Sequence, residues 1–208
     1  MPAARLLLPA LLVGLTACSA RSLTQVRGEV RNWTYGAGSV EFLSDDLKTL
    51  STADLDRVGR FTLVLPDAQT MTPLLQDSLV PAELPAGCTN TVKASSAAKF
   101  YSLGDITAYP ASGEKNAYTL ISEDRGGGSP VRVTRRLFIY ASQTVNVTGQ
   151  LSCPVGGAQA AASYGLSLKA GWNRVASNQT IQASGGSQTS IGTVGEDGFE
   201  RWSLALAR

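Results

Sequence analysis

Apolar and polar positions alternate with a period of two along most of the chain, which is the pattern of half-buried β-strands. Val26, Gly28 and Val30 point one way, and Gln25, Arg27, Glu29 and Arg31 the other. Val40 and Phe42 repeat the pattern after Gly36-Ala37-Gly38, and Phe61, Leu63 and Leu65 repeat it again until Pro66 stops the strand. Asp67–Ala98 breaks the rhythm with Pro73, Pro81 and Pro85. Within it Thr72-Pro73 predicts a short helix through Val80, with Thr72 at N-cap and Pro73 at N1. Strand signals return from Lys99, with an imperfect alternation over Phe100–Tyr109 and a short apolar run at Tyr118–Ile121. Ser122–Pro130, with Gly126-Gly127-Gly128, reads as a mobile loop. Val131–Ala141 is the strongest later strand and should be central, at least at its second half, because Val131, Val133, Leu137 and Ile139 share one face while Phe138 and Tyr140 cover the other. Val145–Leu151, Tyr164–Ala170 and Gly171–Val175 follow as strands, Ala183–Gly198 as a Gly/Ser/Thr-rich loop, and Phe199–Leu206 as a last strand. Strands recurring with turn signals and almost no helix predict an all-β fold. The expected architecture is an antiparallel β-sandwich, built as one unit or as two packed β units, with at most one short helix.

The first residues read differently. Arg5 is the only charge before an apolar run of ten, Leu6–Leu15, interrupted only by Pro9 and Gly14. Such a run suits the core of a signal peptide and falls short of the ~20 residues of a spanning helix. Leu15-Thr16-Ala17-Cys18 resembles a bacterial lipobox. The resemblance implies cleavage before Cys18, a diacylglycerol on its thiol and an acyl group on the new amine, and with two or more chains a stable membrane anchor. The alternative is an ordinary secretory peptide cleaved near Ala17 or Ala20. Ser19 resembles the pattern of outer-membrane or surface lipoproteins, so the expected location is extracytoplasmic and membrane-anchored.

A second resemblance covers about forty residues. Val26-Arg27-Gly28-Glu29-Val30, Gly38-Ser39-Val40, Asp56-Arg57-Val58-Gly59-Arg60-Phe61 and Leu65-Pro66 together resemble the carboxypeptidase-regulatory or transthyretin-like β-sandwich repeat. Leu55 stands where that family commonly has Thr, and the Pro-Leu near its second strand is missing. The family's modules are mostly scaffolds, so the resemblance implies no catalytic residue. Gly165–Asn173 also loosely resembles the C-terminal part of other β-rich bacterial lipoproteins, again without chemistry. The expected organisation is a signal peptide over 1–17, a tether over 18–23, a transthyretin-like segment over 24–66, a loop-rich connection over 67–98 and a second β-rich part over 99–208.

Composition narrows the chemistry. The 208 residues suffice for a sizeable core, 43% are apolar, and disorder is not expected. Only 16% are charged, whereas Ser, Thr, Asn and Gln together number 54, so the polar surface is mostly neutral. The net charge of +2 gives no nucleic-acid footprint. Histidine is absent, which removes imidazole bases, Ser-His-Asp and Cys-His nucleophiles, and His-containing metal sites. No metal or other cofactor is expected. If Cys18 carries lipid, Cys88 and Cys153 remain for a disulfide in an oxidising compartment. It would close a loop worth about 4 kcal/mol of chain entropy. The alternatives are two free thiols or a metal pair, and a pair lacks the four ligands of structural zinc.

The remaining candidates each have a plain structural explanation. Ser96-Ala97-Ala98-Lys99 matches the Ser-x-x-Lys of penicillin-binding enzymes, in which lysine would act as base for a serine nucleophile. Its companion Lys-Thr-Gly is absent, and a loop or strand would not hold the pair together. Asp45-Asp46, Glu123-Asp124 and Glu196-Asp197 would suit glycoside hydrolysis, or else simple turns. Arg125, Arg132, Arg135 and Arg136 would meet anionic lipid or polysaccharide, or form a solvated strand face. Among the tryptophans, Trp33 with Tyr35 in the 32–38 loop is the candidate for an exposed ligand contact. The sequence reading is therefore a lipid-anchored envelope protein with a structural or binding role and no enzymatic activity. Its partners would be the membrane, through the N-terminal lipid, and an envelope protein or polysaccharide, with no nucleic acid. A serine hydrolase using Ser96 and Lys99 is the rival from another class.

Overall fold

In the computed structural model the described residues are 23–111 and 117–205. They form fifteen strands and one short helix. The first four strands are β1 (Gln25–Val30), β2 (Gly38–Leu43), β3 (Thr49–Leu55) and β4 (Arg60–Val64). Val26 and Val30 are buried and Arg27 and Glu29 exposed, as the alternation requires. Gly28 shares the inward face because a Cβ there would collide with the rings of Phe61 and Trp202. Before β4, Asp56 Oδ1 accepts from the backbone N–H groups of Val58 at 2.9 Å and Arg60 at 2.8 Å. Gly59 closes that turn at φ +86°, where glycine carries no steric cost.

Helix α1 (Ala68–Met71) follows, then a 3-10 turn at Thr72–Leu74, β5 (Thr89–Asn90), β6 (Lys93–Ala94), β7 (Phe100–Leu103) and β8 (Asp105–Pro110). The rest are β9 (Tyr118–Gly126), β10 (Val131–Ala141), β11 (Val145–Val155), β12 (Ala158–Leu168), β13 (Gly171–Ile181), β14 (Ser187–Thr193) and β15 (Arg201–Leu204).

Seven of these strands close a barrel in the order β15-β1-β4-β3-β2-β8-β9, with β9 returning to β15. The fold is all-β, as expected, but its main unit is this barrel with added strands and not clearly a sandwich. Nor is it wholly antiparallel: β1 runs parallel to β15, and β12 parallel to β14. The added strands start where β9 leaves the barrel. Its end, Ser122–Gly126, pairs with β10, and the sheet continues β10-β13-β14-β12-β11. Segment 93–103 then runs from β6, paired with β11, to β7, paired with β10. The second sheet is thereby strapped over its own core.

Two cores result. The barrel core holds Phe42, Phe61, Leu63, Trp33 and Trp202, and receives Phe138, Tyr140 and Trp172 from the second sheet. The other core lies on the opposite side of β10 and β13, around Ile139, Val175, Leu166, Leu168, Val145 and Val147. Residues Phe138–Ala141 are buried on both faces for this reason, which makes β10 the central strand expected.

Several local expectations change. The helix is capped by Asp67, whose carboxylate accepts from Thr70 N at 2.9 Å, so it begins before Thr72 and, with its 3-10 turn, ends at Leu74 rather than Val80. Strand β3 carried no clear alternation, because four of its seven residues are Ser, Thr or Asp. Strand β9 runs through Ser122–Gly126, shortening the expected loop to 127–130. Strand β14 lies inside the expected 183–198 loop, where partners on both sides outweigh the weak β-propensity of Ser187-Gln188-Thr189-Ser190.

Candidate functional site

Lipidation at Cys18 concerns a residue outside those described. The described chain starts at Leu23, which bridges to Trp172, and so enters the fold beside the start of β13. Cys88 and Cys153 are joined by a disulfide, tying the 67–98 connection to β11. No helix among the described residues is long and apolar enough to cross a membrane.

Trp33 is not the exposed ring expected. It is 7% exposed, and its indole N–H donates to Gly36 O at 2.6 Å. The loop folds back because a large ring gains more from the barrel core than from solvent once its N–H has a partner. Tyr35 is half-buried and lies 4.4 Å from Tyr118, with Trp33 meeting both rings edge-on. The trio caps one end of the barrel.

The structure does not bring Ser96 and Lys99 into a pair. Ser96 Oγ accepts from Gln143 Nε2 at 3.0 Å, and Lys99 Nζ meets Asp77 at 3.5 Å. The acidic pairs go to cations and hydroxyls. Asp46 meets Ser44 Oγ and, at 2.7 Å, Lys48, whose hydrogen bond holds the Asp46 carboxyl below its ordinary range. Its neighbour Asp45 lies 3.4 Å from the Tyr101 hydroxyl. Burial first, and Asp45 second, push that phenol up to about 12.

The arginine cluster is only partly a solvated face. The Arg136 side chain is 13% exposed, Nη2 lies 2.7 Å from Asp124, and Nε donates to Asp197 O at 3.3 Å. Asp124 also takes Arg31 at 3.2 Å, and the hydrogen bond from Arg136 lowers its pKa. This network pins the barrel loop after β1, the end of β9 and the 196–200 segment to β10. Arg135 meets Asp105 at 3.6 Å and Gly104 O at 3.4 Å, and Arg125 meets Glu123 at 3.5 Å.

Two hollows lie between the barrel and the second sheet. One, of about 700 Å³, is lined by Asp105, Glu123, Arg125 and Arg135 and by the end of β15. The other, of about 460 Å³, has Val26, Phe138 and Phe199 as an apolar floor and Arg27, Arg174, Glu196 and Glu200 on its walls. Arg174 is fixed there by Glu196 at 3.0 Å, with its guanidinium 5.9 Å from the Phe199 ring centroid, and its buried Nε has no hydrogen-bond partner among the described residues. Leu23 and Thr24, the first described residues, form one lip. Its lining offers one hydroxyl, Thr24, and neither thiol nor imidazole. Sequence reading missed it. The available signal was Arg174 as the lone charge in an otherwise neutral strand. Among the described residues no group of three or more Cys, Asp or Glu side chains is placed to hold a metal ion.

No protein-family model, no curated protein and no solved structure matches the chain.

Proposed function

We propose that this is a lipid-anchored, extracytoplasmic protein of the cell envelope whose β-fold serves as a binding or structural module. The observation that carries the reading is the Leu15–Cys18 lipobox directly behind a ten-residue apolar run. The Cys88–Cys153 disulfide supports it, since such bonds persist in oxidising compartments. The entry of the chain at Leu23, five positions after Cys18, would hold the barrel close to the membrane surface. The transthyretin-like resemblance over 24–66 points to a scaffold, and the separate engagements of Ser96 and Lys99 favour binding over serine catalysis. Detergent phase partition in a producing cell tests the proposal. The wild-type chain should enter the detergent phase, and Cys18→Ala should accumulate unprocessed or appear in the aqueous phase. Equal aqueous partition of both would contradict the anchor.

A further inference from the structure

The second sheet distributes charge unevenly. Strands β11, β12 and β14 contain no Asp, Glu, Lys or Arg, and β13 contains only Arg174. On the side of this sheet facing away from its core, paired register aligns Gln150, Ser163, Ser190, Asn178 and Thr134 in one row across five strands. The first four are exposed and Thr134 is half-buried. The Thr134 hydroxyl donates to Asn178 Oδ1 at 2.8 Å, which fixes the amide's orientation. The neighbouring row adds Gln188 and Thr180 and ends on β10 at the exposed Arg132. With strands about 4.8 Å apart, the row is about 19 Å long. Charges stand at its border, where Asp124 meets Arg31 and Arg136.

We infer that this neutral hydroxyl- and amide-lined row across β10-β13-β14-β12-β11 binds an uncharged polysaccharide of the envelope. The inference rests on the extracytoplasmic reading above. Three features select that occupant. Charged ligands need opposite charge to offset their desolvation, and the row offers none. Ser and Thr hydroxyls and Asn and Gln amides each present donors and acceptors, which is what the ring hydroxyls of a sugar require, directly or through water. Protein interfaces are enriched in aromatic residues, Met and Arg and depleted in Ser and Ala, whereas this row has the opposite content. Its length matches an extended chain better than a single small molecule, so affinity would accumulate along a polymer.

The experiment uses the oxidised mature chain, with Cys18→Ser so that it is soluble, passed over immobilised dextran, mannan and β-1,3-glucan, with dextran sulfate as the charged control. The expected result is retention on at least one neutral polysaccharide. The double change Ser163→Glu and Ser190→Glu should weaken that retention at least tenfold with the β-sheet circular dichroism retained, the two facing carboxylates lowering the melting temperature, and Asn178→Asp should weaken it less. Retention on none of the neutral chains, retention only on dextran sulfate, or retention indifferent to the substitutions would overturn the inference. So would self-association abolished by the Glu pair, which would assign the face to a second copy. The soluble variant lacks the anchor, so failure here speaks against the face and failure of detergent partition against the anchor.

Discussion

The barrel core is built from rings, and the second core from aliphatic side chains. In the barrel, Phe61 meets Trp202 at 5.8 Å, Phe42 meets Trp172 at 5.8 Å, and Tyr140 meets Trp172 at 5.4 Å, most of them edge-on. The indole N–H groups of Trp172 and Trp202 donate to Pro66 O at 2.9 Å and Phe199 O at 3.1 Å, so burial leaves neither unsatisfied. Around Ile139 and Leu166, by contrast, Phe100 is the one ring among the buried members. Aromatic contacts each bury more area and add about 0.5–1.5 kcal/mol beyond it. The barrel is therefore held from within. The second sheet relies on the 93–103 strap laid over it and on the disulfide that fastens the chain just before this strap to β11. The barrel is therefore vulnerable to a cavity, and the sheet to loss of its fastening.

The largest expected effect tests the first half of that contrast. Trp202→Ala should cost about 3–5 kcal/mol in urea denaturation, because it empties a site that is 1% exposed and in contact with Phe61. A loss under 1 kcal/mol would break the comparison. Next, replacing both Cys88 and Cys153 by Ser should cost about 2–4 kcal/mol. Hydrogen exchange should then accelerate in β11, β12 and β5 and stay slow in β1, β2 and β4. Equal acceleration in both regions would make the two cores one cooperative unit.

Smaller effects sharpen the seam between the regions. Asp124→Asn should cost about 1–2 kcal/mol, since the pair leaves Arg136 largely buried while Asp124 itself is 39% exposed. The Asp124 carboxyl is held below its ordinary value by Arg136, so its contribution is present above the unfolded pKa of about 3.9 and is lost as pH falls through the folded value. Wild-type and Asp124→Asn stabilities should therefore converge only in acid below about pH 4. The smallest effect is spectroscopic. Tyr101, pushed up to about 12, contributes stability that is complete below pH 10 and declines as pH rises through 12. Titration of phenol absorbance should show a late tyrosine that vanishes in Tyr101→Phe, while Tyr164, which burial also raises, remains.

The sequence made much of the barrel legible and less of the sheet, for the same reason that the cores differ. Val26, Val40, Phe42, Phe61 and Leu63 alternate with polar neighbours and mark β1, β2 and β4. In β14 the apolar signal is reduced to Ile191, and pairing with β12 and β13 supplies what side chains do not. Closure of the barrel depends on β15 meeting β1 and β9, contacts between segments distant in sequence that local periodicity cannot encode. Of the candidate residues, Cys88 and Cys153 could be paired by elimination. Trp33 was misplaced because loop composition says nothing about a ring folding back over a barrel end. The Arg27 and Arg174 hollow brings together residues distant in sequence.

The proposed membrane anchor is Cys18, and the measurement that tests it most directly is the mass of the N-terminal peptide from protein isolated out of the cell that produces it. The account predicts a chain beginning at Cys18 that carries a diacylglycerol, with or without a further acyl group on its amine. An unmodified N-terminus downstream of Cys18 would contradict it.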